Sequence, residues 1–145
     1  MRYLGMDLGS KTLGLATSDL TETLATTLTT INFKDENYDE LINKLDSILK
    51  ENKIDKIVLG LPKNMDNSIG TRAEITLEFK KKLEKRYYLE VILVDERLTS
   101  VISNQVMLQA DMSRKKRKKK VDGIAAQLIL QTYLDKLNNK RKGDF

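Results

Sequence analysis

Three acidic residues stand where a carboxylate is either unusual or well aimed. Asp7 lies between Met6 and Leu8 in a short apolar run, Glu96 stands just after the last apolar run, Glu90 to Val94, and Asp122 stands in the first turn of the segment Val121 to Leu137, which closes the chain. In open α/β sheets, functional groups gather at strand ends and at helix N-termini that face the same edge. Three unneutralised carboxylates at such an edge repel one another, and divalent cations are the usual relief. Each residue also has a plainer reading. Asp122 in a helix's first turn serves the macrodipole, and Glu96 beside Arg97 forms a surface ion pair. Asp7 is harder to set aside, because strand propensity and burial both disfavour an acidic residue there.

The rest of the inventory narrows the chemistry. Among 145 residues there is no Cys and no His, which removes disulfide scaffolds, thiol nucleophiles, Ser-His and Cys-His dyads, zinc fingers and histidine-based zinc enzymes. Carboxylate, hydroxyl, amine and guanidinium chemistry remains. Any metal would be held by Asp and Glu oxygens, which favour hard ions such as Mg²⁺ or Mn²⁺.

The net charge of +5 is unevenly placed. Seven consecutive basic residues, Arg114, Lys115, Lys116, Arg117, Lys118, Lys119 and Lys120, carry the whole excess, and without them 19 basic residues face 21 acidic ones. A slightly acidic body with one basic segment fits a local polyanion contact, phosphate backbone or anionic lipid. The run has no interleaved aromatics, so it reads charge and not sequence, and it is expected to be a flexible arm gripping the substrate backbone. No stretch approaches the ~20 apolar residues that span a bilayer, and the N-terminus lacks a secretory signal. The expectation is a soluble, unprocessed, cytoplasmic protein of one domain.

Two loops qualify as phosphate-facing. Gly9-Ser10-Lys11-Thr12 is not a P-loop, since only three residues separate Gly5 from Gly9 and the intervening Asp7 repels phosphate. It reads as a carboxylate beside a turn that carries Lys11, or simply as a hairpin. Gly60 to Ser68 holds the chain's one proline and offers Lys63, Asn64, Asn67 and Ser68 to a polar ligand. Its plainer reading is a β-to-α connection with Asn67 or Ser68 as helix N-cap.

The elements that must position these residues follow from periodicity. Tyr3 to Leu8 and Thr12 to Ser18 form a hairpin, with a Thr-rich third strand at Thr26 to Phe33. Tyr38 to Lys50 has apolar residues at helical spacing. Ile54 to Leu61 and Glu90 to Val94 are buried parallel strands, joined through a helix at Ile69 to Arg86. A short helix at Thr99 to Gln109, the basic run, and a helix from Val121 to Leu137 complete the order, with a frayed basic tail over residues 138–145. Small Ala125 and Ala126 let the last helix lie close to the sheet. The fold class is α/β, a five-stranded mixed sheet of three antiparallel and two parallel strands flanked by helices.

Taken together, these stretches resemble a known family. Asp7-x-Gly9-x-Lys11-x-x-Gly14-x-Ala16-x-Ser18-Asp19, Gly60-Leu61-Pro62 with Asn64-Met65-Asp66, Asp95-Glu96-Arg97-Leu98-Thr99, and Val121-Asp122 with Ala125-Ala126 are similar to the bacterial pre-16S rRNA nucleases, also called Holliday-junction-resolvase-like proteins. The resemblance covers residues 1–137, with the basic arm at 111–120 inside the domain. It departs from the family pattern at Thr12, Asn67 and Ser103, none of them a proposed carboxylate.

The resemblance implies an RNase H-like fold and metal-dependent phosphodiester hydrolysis, with Asp7, Glu96 and Asp122 as catalytic metal ligands for Mg²⁺ or Mn²⁺. Two such ions ~4 Å apart activate the attacking water and stabilise the departing oxygen, so no histidine base is needed. Lys11, Lys63, Asn64, Arg72, Arg97 and Thr99, with Arg114 to Lys120, are the candidate nucleic-acid contacts. The expected substrate is single-stranded RNA at the 5′ end of pre-16S rRNA, in pre-ribosomal particles, cut by a monomer or weak homodimer. The alternatives are a resolvase of four-way DNA junctions and a binding module of the same fold that does not cleave.

Overall fold

The computed structural model describes residues 1–34, 37–62, 70–95 and 114–143, the last segment as backbone alone at 114–123 and 141–143. Five strands, β1 (Tyr3–Leu8), β2 (Thr12–Ser18), β3 (Ala25–Asn32), β4 (Lys56–Leu61) and β5 (Val91–Asp95), form one sheet in the order β3-β2-β1-β4-β5. Strands β1, β2 and β3 pair antiparallel, and β4 and β5 extend the sheet parallel to β1. The expected mixed sheet is present. Helices α1 (Tyr38–Glu51) and α2 (Thr71–Tyr87) cover one face and α3 (Arg114–Gly143) covers the other.

Strand alternation divides the core into two layers. Leu4, Met6 and Leu8 of β1 join Leu13, Leu15, Ile57 and Leu59 against Leu41, Leu45, Phe79 and Leu83 of α1 and α2. The opposite face carries Tyr3, Ala16 and Val58 against Ala126, Ile129, Leu130 and Leu134 of α3. Asp7 is in phase with Tyr3 and Gly5, so it belongs to the α3 face.

Local signals set most helix ends. The Asn37 side chain accepts the Glu40 amide at 3.2 Å and caps α1. Asn67 and Ser68, expected to cap α2, lie outside the described residues. The cap of this helix is Gly70, which has no side chain to offer, and the helix begins at Thr71. Tyr88, at φ +54°, ends α2 in the left-handed conformation.

Helix α3 corrects the reading of the chain's last third. It runs from Arg114 through Lys120, Val121 and Asp122 to Gly143, so the basic run is the helix's first two turns and not an arm before it. Residues 138–143, expected in a frayed tail, likewise continue the helix. Apolar periodicity marks where a helix is buried, whereas Lys and Arg are good helix formers in solvent, so the helix outruns its buried stripe at both ends. Asp122 is therefore the ninth residue of α3 and not in its first turn, and the dipole reading loses its basis because that effect fades within one turn. The helix expected over Thr99 to Gln109 lies outside the described residues.

Candidate active edge

Asp7 is positioned by the hairpin that contains it. The Gly9 amide donates to the Thr12 carbonyl at 2.8 Å, closing a tight turn over Ser10 and Lys11, and this register sets Asp7 opposite Gly14. On the other side, Met6 pairs with Leu59, so the next position beside Asp7 is Gly60. Neither lateral neighbour carries a side chain. Asp7 is half-buried, and among the described residues its carboxylate has no hydrogen-bond or ion-pair partner. A half-buried carboxylate set between two glycines, with no partner among the described residues, fits a hard cation better than a structural ion pair.

The C-terminal ends of β1, β4 and β5 lie on one edge. Leu61 pairs with Asp95, an exposed residue that directly precedes Glu96 in the sequence. Glu96, Arg97, Thr99, Lys63 and Asn64 lie outside the described residues, as do the side chains of Asp122 and of Arg114 to Lys120. Lys11 is exposed at the tip of the hairpin. Among the described residues, no three acidic side chains are grouped closely enough to hold a metal, and Asp7 is the one member of the expected triad whose side chain is described.

The distance between α3 and β1 is set by Gly5. A Cβ there would stand 2.7 Å from the Leu130 Cβ and 2.9 Å from the Ala126 carbonyl oxygen, closer than real atoms approach. Tyr3 and Tyr133 stack edge to face at 5.5 Å further along the same crossing. Burial, with Tyr133 and Glu22 close by, pushes the Tyr3 hydroxyl up to about 12, so it stays neutral.

Amide side chains on α3, which sequence reasoning missed, fix the helix against the β2–β3 turn. Gln131 accepts the Ala25 amide at 2.8 Å and donates to the Thr23 carbonyl at 2.9 Å, Gln127 donates to the Ala25 carbonyl at 3.0 Å, and Asn138 donates to the Glu22 carbonyl at 3.1 Å. Their spacing of four and seven along one helix stripe was the available signal. Glycines 14 and 60 were missed as neighbours of Asp7, although a two-residue turn at Ser10-Lys11 already implies the pairing of Asp7 with Gly14.

Arg72, expected to meet a phosphate, is half-buried in the first turn of α2, and its Nη2 donates to the Leu8 carbonyl at 3.2 Å. It thus reaches the end of β1, one residue from Asp7.

Comparison with known proteins adds identity to this geometry. Residues 1–136 match the family model described as RuvX, Holliday junction resolvase. The chain is 47% identical over 138 residues to the "Putative pre-16S rRNA nuclease" of Bacillus subtilis (strain 168), covering 95% of this chain and 100% of that protein. A Staphylococcus epidermidis protein of the same description is 44% identical over 137 residues, covering 94% and 96%. Among solved structures, Thermus thermophilus RuvC in complex with a Holliday junction substrate aligns with a TM-score of 0.58 at 12% identity, covering 89% of this chain and 91% of that one. The fowlpox virus resolvase bound to Holliday junction DNA gives 0.58 at 17% identity, covering 94% and 99%. These two likenesses establish a shared RNase H-like fold.

Proposed function

Because the chain belongs to the RuvX family, we propose that it is a nuclease that hydrolyses phosphodiester bonds at the edge where β1, β4 and β5 end, with Asp7, Glu96 and Asp122 as its catalytic carboxylates. The observation that carries this reading is the half-buried Asp7 carboxylate, unpartnered among the described residues and flanked by Gly14 and Gly60. The packing of α3 supports the triad. Ala126 abuts Gly5. Asp7 is two strand residues beyond Gly5, roughly 6.6 Å, and Asp122 is one helical turn before Ala126, roughly 6 Å. The two steps run the same way, because Tyr133 lies near Tyr3 and Ala126 near Gly5. Strand β5 ends at Asp95 on the same edge, and Glu96 is the next residue in the sequence.

Asp7, Glu96 and Asp122 offer only hard oxygen donors, a set that fits Mg²⁺ or Mn²⁺. Such ions, when bound, supply activation of the attacking water and stabilisation of the departing oxygen. The chain's own part is to orient the three carboxylates and to set glycines on either side of Asp7. Lys11, Lys63, Asn64, Arg97 and Thr99 position phosphates near the scissile bond. The basic turns Arg114 to Lys120 end only two residues before Asp122 on the same helix, so they hold the backbone beside the site through charge alone.

The substrate we infer is precursor 16S rRNA, in pre-ribosomal particles of the cytoplasm, acted on by a monomer or weak dimer. The names of the relatives support RNA, and the family description supports a four-way DNA junction as the second reading. Side-by-side cleavage of a precursor-rRNA fragment and a synthetic junction in Mn²⁺, with mass measured by light scattering, decides between them. RNA cleavage by a monomer is expected. Symmetric junction cutting by a stable dimer would overturn the RNA preference, and cleavage of neither would overturn the enzyme assignment.

A further inference from the structure

The hydrogen-bond ladder between β1 and β4 stops at an informative place. Asp7 and Gly9 turn their backbone groups toward β2, where Gly9 bonds Thr12, so residues 2, 4, 6 and 8 turn theirs toward β4. The first rung has the same direction: the Lys56 amide lies 3.4 Å from the Arg2 carbonyl, which also accepts the Asp55 amide at 2.8 Å. The pairing of β1 with β4 ends at Met6 and Leu59; were it continued by two more residues, the rung for the Leu8 carbonyl would be the amide of residue 62. That residue is Pro62, the chain's single proline, and it has no N–H. Leu8 is buried, so its carbonyl needs a partner. Arg72 supplies it at 3.2 Å.

We propose that Arg72 is a positioning residue for Asp7, its guanidinium standing in for the amide that Pro62 lacks. An amide rung at position 62 would tie β1 to β4 alone. The guanidinium ties the end of β1 to the first turn of α2 instead, and so sets the backbone from which the Asp7 carboxylate projects. The inference rests on the reading of Asp7 as a metal ligand and gives Arg72 a task other than meeting the substrate phosphate.

The test compares the wild-type protein, Arg72→Ala, and the double variant Arg72→Ala with Pro62→Ala, in which position 62 regains an N–H for the same carbonyl. Three quantities are measured: amide hydrogen exchange at Leu8 and Gly9, Mn²⁺ affinity by calorimetric titration without nucleic acid, and steady-state cleavage. Arg72→Ala is expected to lose exchange protection at these amides and to bind Mn²⁺ about tenfold more weakly. It should lower kcat while KM for nucleic acid stays within about twofold, and the double variant should recover most of both losses. If Arg72→Ala does not fold, Arg72→Gln, which keeps an N–H donor, is read in the same assays and should show weaker effects of the same kind. A raised KM with exchange and Mn²⁺ affinity unchanged would make Arg72 a phosphate contact and overturn the proposal. So would a double variant no better than Arg72→Ala. Should Asp7→Asn leave Mn²⁺ uptake intact, the active-edge assignment fails on its own, and hydrogen exchange still decides the role of Arg72.

Discussion

Gly5 of β1 and Leu130 of α3 are packed so closely that any side chain at position 5 would meet the Leu130 Cβ at 2.7 Å. Ala126 is equally unyielding, because the group it presents, at 2.9 Å, is a backbone carbonyl. Gly5→Ala is therefore expected to force α3 off β1 and to cost about 1–3 kcal/mol. Thermal melting checks the stability. Cleavage should fall more than the lost stability explains, because the displaced helix carries Asp122. A variant as stable and active as the wild type would show that the contact can relax.

Asp7→Asn keeps shape and removes charge. Cleavage in Mg²⁺ or Mn²⁺ should be abolished, and calorimetric Mn²⁺ uptake should fall with it. Metal-free stability should be unchanged or slightly raised, since a half-buried carboxylate without a partner among the described residues is removed. Full activity in the purified variant would remove Asp7 from the site. Chelation of divalent ions should silence the wild type in the same assay and leave its fold intact.

Replacing Arg114 to Lys120 with seven glutamines tests the basic turns without breaking the helix, because Gln and Lys have similar helix propensity. Binding to RNA and DNA should weaken alike. The salt dependence should flatten by roughly 0.7 to 0.9 log units for each phosphate that is no longer neutralised. An effect confined to one sequence would make this segment a reader of bases.

Away from the edge, Asp46 of α1 is gripped from α2. The Arg86 Nε donates to its Oδ1 at 2.9 Å, and the Tyr87 hydroxyl donates to the same carboxylate, with the Ile42 carbonyl also within reach of its one proton. The bond from Arg86, followed by that from Tyr87, holds the Asp46 carboxyl below its usual range. Its contribution is therefore full above the unfolded carboxylate's value of about 3.9, and it is lost as pH falls through the lower folded value. Both partners are nearly half exposed, so the effect is small. Melting temperatures of the wild type and Asp46→Asn should differ at pH 7 and converge as the pH falls below the lowered folded value. A constant difference would mean that Asp46 acts through packing and not through charge.

The sequence by itself determined which of the described elements form and in what order, because burial repeats every two residues along a strand and every three or four along a helix. It also exposed Asp7, whose charge contradicts the apolar run around it, and the motifs that mark the family. The extent of α3 was not legible, since solvent-exposed Lys and Arg turns leave no apolar trace and the helix continues on propensity alone. Nor were the neighbours of Asp7 and the partner of Leu8. Gly14 lies across a hairpin and Gly60 across a parallel crossover, and the exchange of the Pro62 amide for Arg72 depends on register between strands about fifty residues apart. Register of that kind is fixed only when the sheet, α2 and α3 pack together, so the tertiary structure alone decided what surrounds the carboxylate that the sequence had marked.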